Sequence, residues 1–334
     1  MRALALKYRP KTLNDVVEQI AIVQILQQQL KTNTHQSCYL FTGAPGVGKT
    51  SIARIFANEL NEGNGTPIEI DAASNNGVDD VREIISNVAF KALDSKYKVY
   101  ILDEVHQFSL GAWNAMLKLI EEPPAHAVFI LCTTQPEKVP ETIISRVQRF
   151  DFRRITYNSI IDRLRYIIDS EEDVSATDDA LAMIARLAEG GLRDAITLLD
   201  KCLSYSDVLD IDAVSTALGT VNYKTMFDLL EFIYNKQIKE ALIVIDDIYR
   251  SGVDLKQFVK RFCYFLIDSC KYVLTRDFEY IQIPQIYEDR LAEIAVDYDF
   301  VLVMMLDVQD LSAAIKWETN SKYLIEAKLI EWCY

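Results

Sequence analysis

No stretch of this chain is apolar and long enough to span a bilayer, and the opening Met1-Arg2-Ala3-Leu4 has none of the character of a secretory signal. The six cysteines, Cys38, Cys132, Cys202, Cys263, Cys270 and Cys333, are scattered without a C-x-x-C pair. That pattern argues against a disulfide framework and against a zinc site, and points to the reducing cytosol. Low-complexity segments, long linkers and internal repeats are missing too. Positive charge is scarce in one half only: residues 1–154 balance 17 Lys and Arg against 17 Asp and Glu, whereas residues 155–334 hold 18 against 32, which accounts for the whole net charge of −14. The second half should therefore repel DNA, and any nucleic-acid contact must come from local basic or N–H-rich features in the first.

What is present is a globular composition, half hydrophobic and a quarter charged, over 334 residues, enough for two or three domains. Its sharpest feature is Gly43-Ala44-Pro45-Gly46-Val47-Gly48-Lys49-Thr50, which matches the phosphate-binding pattern G-x-x-x-x-G-K-[ST] at every fixed position. The apolar run Cys38–Phe41 before it reads as a buried strand, and the segment from Ser51 onward has helical spacing. In that context the glycines let backbone N–H groups turn toward phosphate oxygens, Lys49 supplies a point charge for the β and γ phosphates, and Thr50 offers a hydroxyl to Mg²⁺.

About fifty residues on, the short apolar run Val99–Leu102 ends in Asp103-Glu104. A buried parallel strand there would set two carboxylates at the carboxyl edge of the sheet, beside the phosphates. Asp103 is assigned to the metal shell and Glu104 to the attacking water. His106 receives no catalytic role, because a histidine just past such a strand more often packs or caps.

Apolar strands alternate with helical patterns as far as residue 154, which predicts an α/β domain with a parallel sheet built from Cys38–Phe41, Ile68–Asp71, Val99–Leu102, Val128–Cys132 and Gln148–Phe152. Beyond Arg154 the strand signals stop. Ser159–Asp169, Thr177–Glu189 and Asp194–Cys202 read as three short amphipathic helices, with Gly190-Gly191 breaking the last two. From about Asn222 a longer helical series rich in Leu, Ile, Phe and Tyr follows. The predicted domains are residues 1–154, 155–220 and 221–334.

An ordered series of segments carries a family resemblance: Lys7-Tyr8-Arg9-Pro10 through Val16-Val17, Glu69-Ile70-Asp71-Ala72-Ala73-Ser74-Asn75-Asn76-Gly77, Lys98 through His106, Asn114 through Pro124, Thr133-Thr134-Gln135-Pro136, Ser145-Arg146-Val147, and Gly191-Leu192-Arg193-Asp194-Ala195. In that order the chain resembles clamp-loader ATPases of the AAA+ class, and within them the bacterial DNA polymerase III gamma/tau family. The resemblance implies an α/β P-loop domain, a small helical lid and an all-helical collar that joins five subunits into a ring. It implies ATP and Mg²⁺ as ligands, and a sliding clamp, primer–template DNA and other loader subunits, alike or different, as partners. No membrane is expected.

The same resemblance assigns roles that spacing could not. Arg146 looks like the arginine finger presented in trans to a neighbour's ATP, and Arg193 like the lid arginine that senses the γ-phosphate. Thr133 or Thr134 is similar to the polar residue linking phosphate and water. Tyr8, Arg9 and Pro10 with Val16 and Val17 resemble the segment around the adenine, and Gly43 through Ser51 the phosphate cradle. Asn76, Arg82 and Lys138 are candidate DNA contacts. Phe90 and Leu93, placed i, i+3 at the end of a helix starting near Asp79, are candidate clamp anchors, with packing against the sheet as the alternative.

The departures are instructive as well. Where the family carries a four-cysteine zinc module, only Asn61-Glu62-Gly63-Asn64-Gly65-Thr66-Pro67 stands here, so zinc is not expected. Ala44-Pro45, Glu18 in place of the usual glycine, Val147 after the finger, and the lack of the longer form's extension fit a compact, phage-encoded or otherwise divergent loader subunit. The expected compartment is the bacterial cytoplasm, or the host's if the chain is phage-encoded. Two other functions are compatible with the phosphate loop: another AAA+ DNA motor, such as a branch-migration or recombination ATPase, and a non-hydrolysing structural loader subunit. The intact Lys49, Thr50, Asp103 and Glu104 speak against the second.

Overall fold

The structure is a computed structural model that describes residues 3–219, 221–294 and 297–334. The chain divides into two compact units, Met1–Ser170 with Leu187–Asp200, and Glu171–Arg186 with Lys201–Tyr334.

The first unit is built on five parallel strands, β1 (Cys38–Thr42), β2 (Ile68–Asp71), β3 (Lys98–Asp103), β4 (Ala127–Thr133) and β5 (Gln148–Asp151), in the order β2-β3-β4-β1-β5. Strands β1 and β4 are buried along their whole length, which is why they read in sequence as unbroken apolar runs. Alternate side chains serve opposite faces. Leu40, Tyr100, Leu102, Phe129 and Leu131 pack with helices α3 (Val78–Val88) and α4 (Leu110–Glu121). On the other face, Tyr39, Phe41, Val99, Ile101, Val128 and Ile130 pack with α1 (Ile20–Thr32) and α2 (Lys49–Leu60). All five strands match the sequence expectation to within one residue at each end.

Helix α3 does not reach the residues expected of it. It ends at Val88, with Ala89 as its cap residue, so Phe90 and Leu93 lie beyond the helix and share no helical face. The last carbonyls are taken up from outside: the Lys98 ammonium donates to the Asn87 and Phe90 carbonyl oxygens, and the His126 ring bonds the Val88 carbonyl. Orphan carbonyls satisfied by long-range donors need no further turn of helix.

After α5 (Tyr157–Ser170) the strand signal was expected to cease, yet β6 (Ser175–Ala176) and β7 (Val208–Leu209) pair in parallel. Helices α6 (Asp178–Leu187) and α7 (Leu192–Leu203) fall between them, and α8 (Ile211–Leu218) follows. The stretch 155–219 therefore holds four helices and a two-stranded ribbon rather than three helices alone. Strands of two residues are too short to show any alternation.

The rest of the second unit is helical: α9 (Tyr223–Tyr234), α10 (Ile238–Arg250), α11 (Leu255–Thr275), α12 (Glu288–Ile294), α13 (Tyr298–Ala314) and α14 (Ser321–Cys333). They enclose one core that runs from Met226 to Trp332 and includes Phe227, Phe258, Phe262 and Phe265. Asn222 caps α9 by accepting from the Thr225 N–H, and Asp254 caps α11 by accepting from that of Lys256. Asp268 is buried in α11, where it accepts hydrogen bonds from the Gln282 N–H and the Lys271 ammonium. Burial outweighs these bonds and raises its pKa.

Candidate functional site: a phosphate loop and two carboxylates at the sheet edge

The β1–α2 connection leaves the carboxyl edge of the sheet beside β4, where the strand order reverses and where open α/β sheets place their ligands. Gly46 and Gly48 there have φ of +72° and +104°, a region that side chains with a Cβ rarely adopt. At Gly43 the constraint is space as well, since a Cβ would sit 2.6 Å from the Phe152 carbonyl oxygen. Gly48 then serves as the cap of α2, so the N-terminus of that helix opens onto the loop.

Lys49 is 6% exposed, and its ammonium donates to the Gly43 and Ala44 carbonyl oxygens at 2.8 and 2.9 Å. Desolvation lowers its pKa, against the opposing pull of Glu104 and Asp103. The Thr50 hydroxyl donates to Asp103 Oδ2 at 2.7 Å, while Asp103 Oδ1 accepts the Glu104 N–H at 3.0 Å. A hydroxyl and a carboxylate held together beside a phosphate loop are the hard oxygen donors that suit Mg²⁺, so the residues present fit that ion.

Glu104 has φ +48°, an uncommon value for a residue other than glycine. Its Oε2 accepts from both the N–H and the hydroxyl of Thr134, at 3.2 and 3.0 Å. Neighbouring Thr133, the last residue of β4, is fully buried and accepts from the Gln135 N–H. The two threonines thus separate: Thr134 touches the Glu104 carboxylate, and Thr133 faces His106, whose Nδ1 lies 3.2 Å from its hydroxyl and 3.2 Å from Glu104 Oε2.

The remaining sequence-predicted residues sit as follows. The Arg9 guanidinium reaches Ser51 Oγ at 3.2 Å, and the Tyr8 carbonyl accepts from Arg163 at 2.9 Å, so the first of these contacts brings the N-terminal segment onto α2. Val16 packs on the core shared with α2; Pro10 and Val17 are half-buried. Glu18 and Gln19, which follow, both have positive φ; Glu18 accepts from Thr156, and the Gln19 amide bonds Arg153 in both directions. A glycine-favouring position is thereby held by side-chain bonds. Arg193, exposed in the first turn of α7, donates its backbone N–H to the Gly46 carbonyl at 3.3 Å.

Arg146 follows the single helical turn Glu141–Ile144. It pairs with Glu121 at 2.9 Å and donates to the Thr142 carbonyl at 2.7 Å. Arg82 is exposed and pairs with Asp79 at 2.9 Å; Asn76 is exposed and accepts the Ser109 N–H; Lys138 is exposed at the end of the turn Pro136–Lys138. Phe90 is 72% exposed and Leu93 wholly so, which rules out packing of either against the sheet. Sequence reasoning missed the contact between His106 and Glu104 and the ion pair between Glu121 and Arg146. The spacing Asp-Glu-x-His was the available signal for the first, and nothing local marks the second.

Sheet order, phosphate loop and carboxylate pair define a P-loop protein of the AAA+ class. In fold it is similar to the Holliday junction branch migration motor RuvB of Thermotoga maritima, with a TM-score of 0.53 and 22% identity over 68% of this chain and 79% of that one. Three family models match in succession: DNA polymerase III, delta subunit, over residues 66–156; DNA polymerase III clamp loader subunit, ATPase lid domain, over 159–208; and DNA polymerase III subunits gamma and tau domain III, over 209–303. The DNA polymerase III subunit gamma of Buchnera aphidicola subsp. Acyrthosiphon pisum is 32% identical over 81% of this chain and 82% of its own length. The subunit tau of Bacillus subtilis is 36% identical over 99% of this chain, and that of Escherichia coli 37% over 76%. The chain belongs to the gamma/tau family of DNA polymerase III subunits. It spans 63% of the Bacillus relative and 43% of the Escherichia relative. Among the described residues no helix is long and apolar enough to cross a membrane.

Proposed function

We propose that this chain is an ATP-hydrolysing subunit of a sliding-clamp loader, which opens a DNA polymerase clamp and places it on primer–template DNA. The observation that carries the reading is the continuous set of groups at the carboxyl edge of the sheet: buried Lys49, the Thr50–Asp103 hydrogen bond, and Glu104 held by Thr134. The family supports the cellular context.

In this reading the loop from Gly43 to Ser51 wraps the phosphates and Lys49 exchanges its loop carbonyls for β and γ oxygens. Thr50, and Asp103 through water, would hold Mg²⁺, which would supply positive charge to offset the charge developing on the phosphates. Glu104 orients the attacking water, and with Oε2 already engaged by Thr134 the oxygen turned to that water is Oε1. Tyr8, Arg9, Pro10, Val16 and Val17 flank the adenine. Arg193 senses the γ-phosphate from the helix whose first turn is bonded to Gly46.

Arg146 acts in trans. Its ion pair with Glu121 keeps the guanidinium ordered until a neighbour's nucleotide offers a stronger anionic partner. Residues 1–154 form the nucleotide domain, 155–220 the lid and 221–334 the collar of a five-subunit ring. Asn76, Arg82 and Lys138 contact DNA; Phe90 and Leu93 contact the clamp. The ring works in the cytoplasm, and zinc has no role, since no cysteine lies between Cys38 and Cys132.

Two substitutions test the site. Lys49→Ala should abolish ATP binding, whereas Glu104→Gln should bind ATP like the unaltered chain and stall turnover. Equal nucleotide affinity for Lys49→Ala and the unaltered chain would remove the phosphate-loop assignment.

A further inference from the structure

Glu104 is the group on which turnover depends in the reading above, and the structure holds it from two sides. Thr134 engages Oε2 through its N–H and its hydroxyl. On the other side stands His106, in the 3₁₀ turn Val105–Gln107, which the Gln107 N–H closes onto the Glu104 carbonyl at 2.9 Å. The imidazole is only 4% exposed, and Nδ1 lies 3.2 Å from both Glu104 Oε2 and Thr133 Oγ1. Its other nitrogen, Nε2, is 3.1 Å from the amide nitrogen of Gln107.

Glu104 Oε2 only accepts, so the imidazole beside it carries its proton on Nδ1, and Nε2 is left to accept from the Gln107 amide. The Nδ1–H then points to Thr133 Oγ1, and this contact holds the ring with Nδ1 3.2 Å from Glu104 Oε2, so the imidazole stands against that carboxylate oxygen without a hydrogen bond to it. Two donors on Oε2, both from Thr134, with the imidazole pressed against the same oxygen, leave Oε1 as the oxygen that can meet water. The positive φ of Glu104 adds to the same restriction, because the side chain starts from a backbone conformation with few alternatives.

We propose that His106 is a positioning residue for Glu104: its imidazole, anchored by Thr133 and Gln107, stands against Oε2 beside Thr134 so that Oε1 faces the attacking water. The proposal rests on Glu104 being the water-orienting group. Losing the imidazole leaves Thr134 as the remaining clamp, and the carboxylate can then swing about its own torsions without any change at the phosphate loop.

The test is steady-state ATPase of the full chain in its assembly, with fluorescent ATP-analogue affinity and thermal unfolding measured on the same preparations. Asparagine places an amide N–H where Nδ1 stands, whereas glutamine places it one bond further out, at the Nε2 position. His106→Ala should lower kcat by about 100-fold, the cost of a misplaced reacting group, with KM and analogue affinity held within about twofold. His106→Asn should recover most of that loss and His106→Gln should not. In the Glu104→Gln background, His106→Ala should cause no further loss, because the two residues act as one unit.

Unchanged kcat in His106→Ala, equal rates for His106→Asn and His106→Gln, or a second full loss in the double variant would each overturn the proposal and leave His106 as a packing residue. Should His106→Ala fail to fold, the contrast between asparagine and glutamine decides alone. Normal turnover by Glu104→Gln would overturn the water-orienting reading itself, which is a different result from failure of the histidine series in a background where Glu104→Gln is inactive.

Discussion

Truncating Phe90 to alanine removes an aromatic ring that the fold hardly uses. At 72% exposure the residue has given up a little over a quarter of an area of roughly 200 Å², or ~55 Å², and at about 25 cal/mol per Å² that is worth at most ~1.5 kcal/mol. A core phenylalanine would cost about 3–5 kcal/mol instead. Thermal or urea unfolding of Phe90→Ala should therefore lie close to the unaltered chain, and Leu93→Ala, with no buried area to lose, closer still. Basal ATPase should be unchanged. Clamp binding is the quantity expected to move: an apolar anchor seated in a partner's pocket is worth about 2 kcal/mol or more, which weakens Kd by roughly 30-fold. Fluorescence anisotropy with labelled clamp reads this directly. Clamp affinity within experimental scatter of the unaltered chain for the Phe90→Ala, Leu93→Ala pair would refute the anchor role, and a stability loss of core size would refute the burial argument beneath it.

Arg146→Ala should lose most turnover, since a finger contributes about 10³–10⁵ in rate, while ATP binding persists. If the ring contains several copies of this chain, mixing Arg146→Ala with Lys49→Ala should restore part of the activity, and confirmed mixed rings without rescue would argue against action in trans. Replacing Arg82 and Lys138 together should flatten the salt dependence of DNA-stimulated ATPase and leave basal ATPase intact; an unaltered salt slope takes both off the DNA path. For Asp268, burial raises the folded-state pKa, so the stability tied to its neutral form is complete below the unfolded value of about 3.9 and is lost as pH rises through the folded value. Asp268→Asn should accordingly reduce the fall in melting temperature between pH 4 and pH 7, and matching slopes for the two proteins would contradict the assignment.

The first unit was legible in sequence because its central strands β1, β3 and β4 are buried on both faces and so appear as apolar runs closed by chemistry-bearing residues. Position at the carboxyl edge follows from the same reading, which assigns both Thr50 and Asp103 to Mg²⁺; the structure joins the two by a hydrogen bond. What escaped was set by contacts between distant segments. The apolar pattern Val88-Ala89-Phe90 continues past the end of α3, where the Lys98 ammonium and the His126 ring, from elsewhere in the chain, take up the carbonyls of Asn87, Val88 and Phe90. The β6–β7 ribbon joins two pairs of residues separated by two helices, with no periodicity to reveal it. The surroundings of His106 were not legible, because Thr133 and Glu104 converge on it only once β3 and β4 are adjacent. Glu18 shows the reverse case, a position the family gives to glycine, held at positive φ by bonds from Thr156 that lie 138 residues away.

The most direct test of the whole account measures ATP turnover and clamp transfer together, using the purified assembly, the clamp of the same replication system and circular primer–template DNA. Clamp and DNA should jointly stimulate turnover, labelled clamp should become topologically linked to the DNA only when ATP is present, and Glu104→Gln should bind both without releasing loaded clamp. Turnover indifferent to clamp and DNA, with no ATP-dependent linkage of clamp to the circle, would contradict it.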